Sequence, residues 1–299
     1  MKVMLIGSSG QLGADLSKVL RSETLIPLSH ADIEIADAGS VRQAFEQHRP
    51  DVVINTAAFH RVDDCETQTE KAFQVNAFAV RSLAQECRRS GAVLVHFSTD
   101  YVFAGEKHEP YTETDLPGPL SVYGTSKLTG EYLVASALDR HFVIRTCGLY
   151  GLGGSRSKGG NFVETMLRLA AQGKLIRVVK DQVVTPTYTA DLARKVSQLI
   201  HSKAYGLYHI TSGGACSWYE FARTIFESTG VKADLTAVTA EAFGAPARRP
   251  AYSVLQNARL KALGSDDLPE WRDGLWRYLA EREQALGSAT VPAPAVSTT

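Results

Sequence analysis

With 299 residues the chain is long enough for one large domain or two smaller ones. Lys plus Arg and Asp plus Glu number 32 each, so the formal net charge is zero and no basic field exists to hold nucleic acid. The apolar fraction of 44% is ordinary for a globular enzyme, and no apolar run reaches the ~18 residues of a membrane span.

In chain order, "KVMLIG" reads as a short buried strand and "QLGADLSKVLRS" as a helix with apolar residues at helical spacing. "TLIPLS" is a second strand, "SVRQAFEQHR" a helix starting near Ser40, and "PDVVINTAA" a third strand. "EKAFQVNAFAVRSLAQECRRSG" reads as one long helix ending at Gly91, followed by the strand "AVLVHFST". After the loop 104–122 comes a helix carrying "VYGTSKLTGE", then the strand "HFVIRTCGLYG". Strands alternating with helices imply a Rossmann-type, doubly wound parallel sheet covered on both faces.

The second half changes texture. A Gly/Ser-rich loop, "GLGGSRSKGG", leads into the helix "NFVETMLRLAAQGK", and further helices alternate with short strands such as "GLYHITS". The division expected is a nucleotide-binding domain over 1–150, to which the chain returns later, and a smaller C-terminal α/β substrate lobe over 151–286. Residues 287–299, "GSATVPAPAVSTT", are small, polar and proline-containing, and read as a disordered tail. The opening apolar stretch is too short for a signal segment, so the expected compartment is the cytoplasm. Cys65, Cys87, Cys147 and Cys216 are scattered without metal-ligand spacing and read as buried small hydrophobes.

Gly7, Gly10 and Gly13 form a GxxGxxG turn at the first strand–helix junction. Glycine there lets the backbone approach a pyrophosphate, which the helix N-terminus attracts through its unpaired N–H groups. The second strand ends in "PLSHADIEIAD", with Ser29 and His30 where an NAD-selective site carries an acid, and Asp32 is the first carboxylate. NADPH is therefore the expected cofactor, with NADH as the alternative. Tyr123 and Lys127 stand four apart on one helix face. A lysine ammonium there favours phenolate and is expected to lower the tyrosine pKa toward the operating pH.

These motifs, with "GSSGQLG", "PDVVINTAAFHRVDDCE", "HFSTDYVFAG", "YGTSK", "DQVVTPTYTADLA", "GLYHITSGGACSWYEFA" and "PARRPAYSVLQNARL", resemble the dTDP-4-dehydrorhamnose reductase family of extended short-chain dehydrogenases/reductases, over almost the whole chain to about residue 280. The resemblance implies NADPH-dependent reduction of the 4-keto group of a nucleotide-linked deoxysugar, dTDP-4-dehydro-L-rhamnose being the expected one. It places Gly10, Gln11 and Leu12 on the cofactor pyrophosphate, Asp37 near the adenine end, and Ala58, Phe59 and His60 along the dinucleotide, with Phe97, Tyr123 and Lys127 also on the cofactor and Thr99 and Asp100 facing the sugar. Tyr123, Lys127 and Thr99 would be catalytic, with Tyr123 also touching the sugar.

Two departures stand out. Gly148 occupies the place of a family tryptophan beside the sugar. Asp15 matches a magnesium position of some members, but Ala190 replaces a second carboxylate, so no metal is expected and Asp15 reads as a solvated helix charge. Trp218 and Tyr219 are expected to pack in the core, Arg248 and Arg249 to meet substrate phosphates or form a salt bridge, and Asp63 and Glu66 to serve as helix N-terminal charges. The expected partners are a small nucleotide sugar and a second copy of the chain, with no nucleic acid and no membrane. A nucleotide-sugar epimerase shares these motifs, and so does a non-catalytic subunit resembling the regulatory subunit of methionine adenosyltransferase. Dehydratases carry an acid after the Thr-Asp pair, where this chain has Tyr101.

Overall fold

In a computed structural model, which describes residues 1–153 and 159–289, the first strand shows how the sheet is built. β1 (Lys2–Ile6) sends Val3 and Leu5 to one face and Met4 and Ile6 to the other, all fully buried. The sheet is therefore covered on both sides. One layer packs on α1 (Gln11–Val19) and the other on α2 (Ala38–His48), with β2 (Thr24–Leu28) between them in the chain.

After β3 (Val52–Asn55) the chain forms α3 (Val62–Thr67) and α4 (Thr69–Phe73), a π-turn at Gln74–Phe78, and α5 (Ala79–Ser90). The stretch read as one helix is thus widened in its middle. β4 (Val93–Thr99), buried at every residue, runs into a 3-10 turn at Asp100–Val102 and, after a long loop, α6 (Val122–Ala137). The strand expected over 141–151 breaks into β5 (His141–Thr146) and β6 (Leu149–Tyr150), because Gly148 takes φ 55° between them.

The second half holds α7 (Phe162–Ala171), β7 (Ile176–Val179), β8 (Val183–Val184), β9 (Thr187–Tyr188), α8 (Thr189–Leu199) and β10 (Gly206–His209). It continues through β11 (Cys216–Ser217), α9 (Trp218–Thr229), β12 (Leu235–Val238), α10 (Ala240–Phe243), α11 (Ala258–Ala262) and α12 (Trp271–Ala289). The main sheet has the order β10-β5-β4-β3-β1-β2, all parallel. A division at residue 150 is not clean. β10 completes this sheet, and α8 buries Leu192, Val196 and Leu199 in the same cluster as Leu12 and Leu16 of α1.

Of the other second-half elements, α7, β7, β9, β11, α9 and α12 surround a separate core of Tyr150, Val163, Phe221, Trp271 and Tyr278, knit by aromatic contacts of 5.3 to 5.7 Å. α12 runs to Ala289, past the start of the expected tail, and residues 290–299 of that tail lie outside the described residues. No helix among the described residues is long and apolar enough to cross a membrane.

Candidate active site

The glycine-rich turn ends at Gly10, the N-cap of α1, in extended geometry and without a side-chain cap. The first N–H groups of this nine-residue helix are left for another acceptor. A Cβ on Gly13 would sit 2.3 Å from Gly7 O and 2.8 Å from Ser8 Cα, so glycine is what lets the turn lie flat on the helix. Gln11 donates to Leu149 O at 3.2 Å, while its Oε1 is buried without a partner. An uncapped helix start and a flush glycine turn fit a dinucleotide pyrophosphate.

Leu12 faces the core rather than the turn's surface. Asp37 caps α2, accepting from Gly39 N at 2.8 Å. The loop after β3 carries Ala58, Phe59 and His60, all half-buried, and His60 Nδ1 lies 3.2 Å from Ala58 O. Asn76, from the π-turn, clamps this loop by accepting from Phe59 N at 2.8 Å and donating to Phe59 O at 2.9 Å. The same amide donates to Ser126 on α6 at 3.0 Å, which ties the loop to the helix that carries Tyr123.

α6 is started by two acceptors. Ser121 Oγ accepts from Gly124 N at 3.2 Å, and Glu66 Oε1 accepts from Val122 N at 2.9 Å, so Glu66 serves the N-terminus of a helix other than its own. Asp63 instead pairs with Arg249, which bonds both carboxylate oxygens at 2.9 and 3.0 Å. Arg249 also hydrogen-bonds Tyr101. Arg248 is exposed and lines a cavity of about 470 Å³ with His108, Gln182 and Arg249.

Tyr123 hydrogen-bonds Thr99 at the end of β4 and meets the Tyr101 ring edge-on at 6.0 Å. Its electrostatics correct the expectation for the Tyr–Lys pair. Burial, helped by the charge of Asp100, pushes the phenol well up, and the Thr99 hydrogen bond opposes this. Lys127 does not bond Tyr123. Its Nζ donates to Phe97 O at 2.6 Å and lies 3.2 Å from His96 Nε2. Burial pulls the amine down to about 8, with Glu131 one turn on acting the other way.

Asp100 is also placed differently from the expectation. Its carboxylate is 3% exposed and already takes hydrogen bonds from Thr99 at 3.0 Å, Cys147 at 3.0 Å and Ser253 at 2.5 Å. It is a tether between the ends of β4 and β5 and the returning loop at Ser253. Burial raises it despite the three donors. Cys147 is accordingly a hydrogen-bond donor, not a plain hydrophobe.

Asp15 is 1% exposed rather than solvated, and it accepts from Thr189 at 2.6 Å and Lys18 at 2.8 Å. No cluster of three or more His, Cys, Asp or Glu able to hold a metal occurs among the described residues. At Gly148 a Cβ would lie 3.1 Å from Pro186 Cα and 3.5 Å from Trp218 Cη2. Trp218, tilted against Phe162 with ring centres 4.8 Å apart, therefore packs in the second core and also brings its indole tip beside Gly148. Tyr219 is partly buried in that core. Asn55, His96, Asn76 and Ser253 are site residues the sequence reading missed. For His96 the signal was present: one imidazole between Val93, Leu94, Val95 and Phe97 in a central strand.

A protein 43% identical over 286 residues, spanning 95% of this chain and 99% of its own length, is the spore coat polysaccharide biosynthesis protein SpsK of Bacillus subtilis. A dTDP-4-dehydrorhamnose reductase from Streptomyces griseus is 40% identical over 91% of each chain. Among solved structures, a dTDP-4-dehydrorhamnose reductase from Bacillus anthracis in complex with NADP superposes with a TM-score of 0.89 at 39% identity, covering 94% of this chain and 99% of that one. The family model described as the RmlD substrate binding domain matches residues 1–284, and the chain belongs to that family.

Proposed function

We propose that the protein reduces the 4-keto group of dTDP-4-dehydro-L-rhamnose with NADPH, giving dTDP-L-rhamnose. The oxidoreductase class and the nicotinamide cofactor follow from family membership and from the uncapped glycine turn of α1. The observation that carries the reading is the Thr99–Tyr123 hydroxyl pair, set at the carboxyl edge of the sheet where open α/β folds bind ligands.

NADPH, when bound, supplies the hydride. The raised Tyr123 phenol keeps its proton until an alkoxide develops on the substrate, and then gives it up. Thr99, whose hydroxyl donates to Asp100 at 3.0 Å and accepts from the N–H of Tyr101 at 3.2 Å, would turn its proton to the substrate oxygen. Lys127 and the loop from Ala58 to His60 hold the cofactor, together with Gly7, Gly10, Gln11 and Gly13. The sugar lies between Tyr123 and Gly148, and the nucleotide extends to the cavity lined by Arg248, whose guanidinium suits a phosphate.

NADPH absorbance is followed with dTDP-4-dehydro-L-rhamnose, and the product is identified by NMR. One NADPH consumed per dTDP-L-rhamnose formed is expected. No oxidation would overturn the reading. Oxidation solely with a differently configured dTDP-4-keto sugar would move the substrate and keep the reductase.

A further inference from the structure

Asn55, His96 and Lys127 form a buried line across β3, β4 and α6, with relative exposures of 0, 0 and 2%. Asn55 and His96 are register partners on adjacent parallel strands. The orientation of Asn55 is set at its far end, where Oδ1 accepts from Ala57 N at 3.1 Å. Its Nδ2 therefore faces His96 Nδ1, at 3.3 Å. An amide NH2 only donates, so Nδ1 is an acceptor in this arrangement. Full burial keeps the imidazole neutral, which leaves its one proton on Nε2. That N–H points at Lys127 Nζ, 3.2 Å away. An ammonium cannot accept it, whereas a neutral amine can, while still donating to Phe97 O at 2.6 Å.

The line is thus self-consistent with Lys127 neutral and inconsistent with Lys127 charged. Charging Lys127 requires His96 Nε2 to become an acceptor and its proton to move to Nδ1. Nδ1–H then needs an acceptor, so Asn55 must turn its Oδ1 inward and release Ala57 N.

We propose that His96 is a positioning residue that couples the proton state of Lys127 to the orientation of Asn55, and through Asn55 to the start of the loop 57–60. Protons balance across the change. Lys127 takes one from solvent, and the imidazole exchanges an Nε2 proton for an Nδ1 proton with no net gain. The charged state presents an ammonium at Lys127 and a free N–H at Ala57, both donors toward the dinucleotide that the loop is proposed to hold.

The groups around the line are few. Glu131 lies one turn along α6 and is held by Arg145 of β5, and Tyr123 lies one turn back. Cys65 and Glu66 of α3, Asp100 and Tyr101 of the 3-10 turn, and Cys147 gather near the start of α6. The π-turn faces α6 with the neutral Asn76. Glu131 is the charge that acts on Lys127.

The coupling rests on the cofactor assignment only for its purpose, so it is tested in the free protein without cofactor or substrate. Nitrogen-15 NMR of the histidine ring reports the tautomer, and carbon-13 NMR of Lys127 reports its charge, with Lys127→Met identifying the signal. Above the Lys127 midpoint, near pH 8, His96 is expected to carry its proton on Nε2. Below that midpoint the proton is expected on Nδ1, with the Ala57 amide shifting at the same pH. An Nδ1 proton throughout, or ring nitrogens that do not respond while Lys127 titrates, would overturn the proposal.

Asn55→Asp gives a second check. A carboxylate facing Nδ1 fixes the Nδ1–H tautomer and should hold Lys127 charged to at least tenfold lower proton concentration. Adding His96→Leu should abolish most of that shift. If it leaves the shift intact, direct charge attraction and not the imidazole is responsible, and the proposal fails. Should Asn55→Asp not fold, the titration of the unsubstituted protein decides alone.

Discussion

Glu131 and Lys127 lie one turn apart on α6 and both are buried, yet their surroundings answer opposite needs. Glu131 meets Arg145 through three hydrogen bonds of 2.6 to 3.2 Å, and the guanidinium rests 5.0 Å from the centre of the Phe103 ring. Each ion supplies the other with hydrogen bonds in place of water, and only Arg145 Nη1 is left without a partner. Lys127 is given a carbonyl and a neutral imidazole. One carbonyl replaces only part of the water its ammonium has lost, so the neutral amine competes well. A matched buried pair fixes structure. A buried cation with neutral partners is poised to change charge, and it is the one beside the proposed chemistry.

The largest expected effect is at the matched pair. Glu131→Leu leaves the Arg145 guanidinium buried without its counter-ion, and should cost about 3–5 kcal/mol in urea unfolding. A loss under ~1 kcal/mol would mean Arg145 finds water, and the contrast with Lys127 would collapse.

At the reacting end, Tyr123→Phe removes the hydroxyl bonded to Thr99. Turnover with a 4-keto nucleotide sugar should fall about 100-fold or more, equivalent to roughly 2.7 kcal/mol, with little change in NADPH dissociation. Retained turnover would remove Tyr123 from the chemistry.

Lys127 itself separates the two kinds of burial by pH. Its folded value of about 8 lies below the ordinary 10.5, so between the two the unfolded chain binds more protons than the folded one. Stability from this group therefore rises with pH across that window and is absent below it. Comparing the wild type with Lys127→Met in urea, the difference should shift by about 2 kcal/mol in favour of the wild type from pH 7.5 to 9.5. A pH-independent difference would show that Lys127 is charged throughout, as in a matched pair.

The sheet was legible because each strand's faces are written into neighbouring residues. Val3 and Leu5 against Met4 and Ile6 need no distant information. Thr99 and the glycine turn were legible for the same reason, since both sit where a strand ends. What stayed hidden depends on pairs far apart in the chain. Asp100 looked free until Ser253, 153 residues on, closed its carboxylate, and Asp15 looked solvated until Thr189, 174 residues on, covered it. The tyrosine–lysine spacing was read correctly as one helix face, but a shared face does not say where Nζ turns. Phe97 O and His96, both of β4, took it.

Gly148 gives the smallest and most local test. Its φ of 55° is a conformation that side chains with a Cβ rarely adopt, and the Cβ would also press on Pro186 Cα at 3.1 Å. Gly148→Ala should therefore cost about 1 kcal/mol from the backbone alone, read as a lowered urea midpoint with an unchanged slope. A side chain as large as the tryptophan of the resembling family does not fit beside Trp218 Cη2 at 3.5 Å unless that indole moves. The aromatic surface at this point is then supplied from α9 and not from the end of β5. If so, Trp218→Leu should raise the KM for the sugar nucleotide several-fold while leaving turnover at saturation nearly unchanged. An unchanged KM would make Trp218 purely a part of the second core.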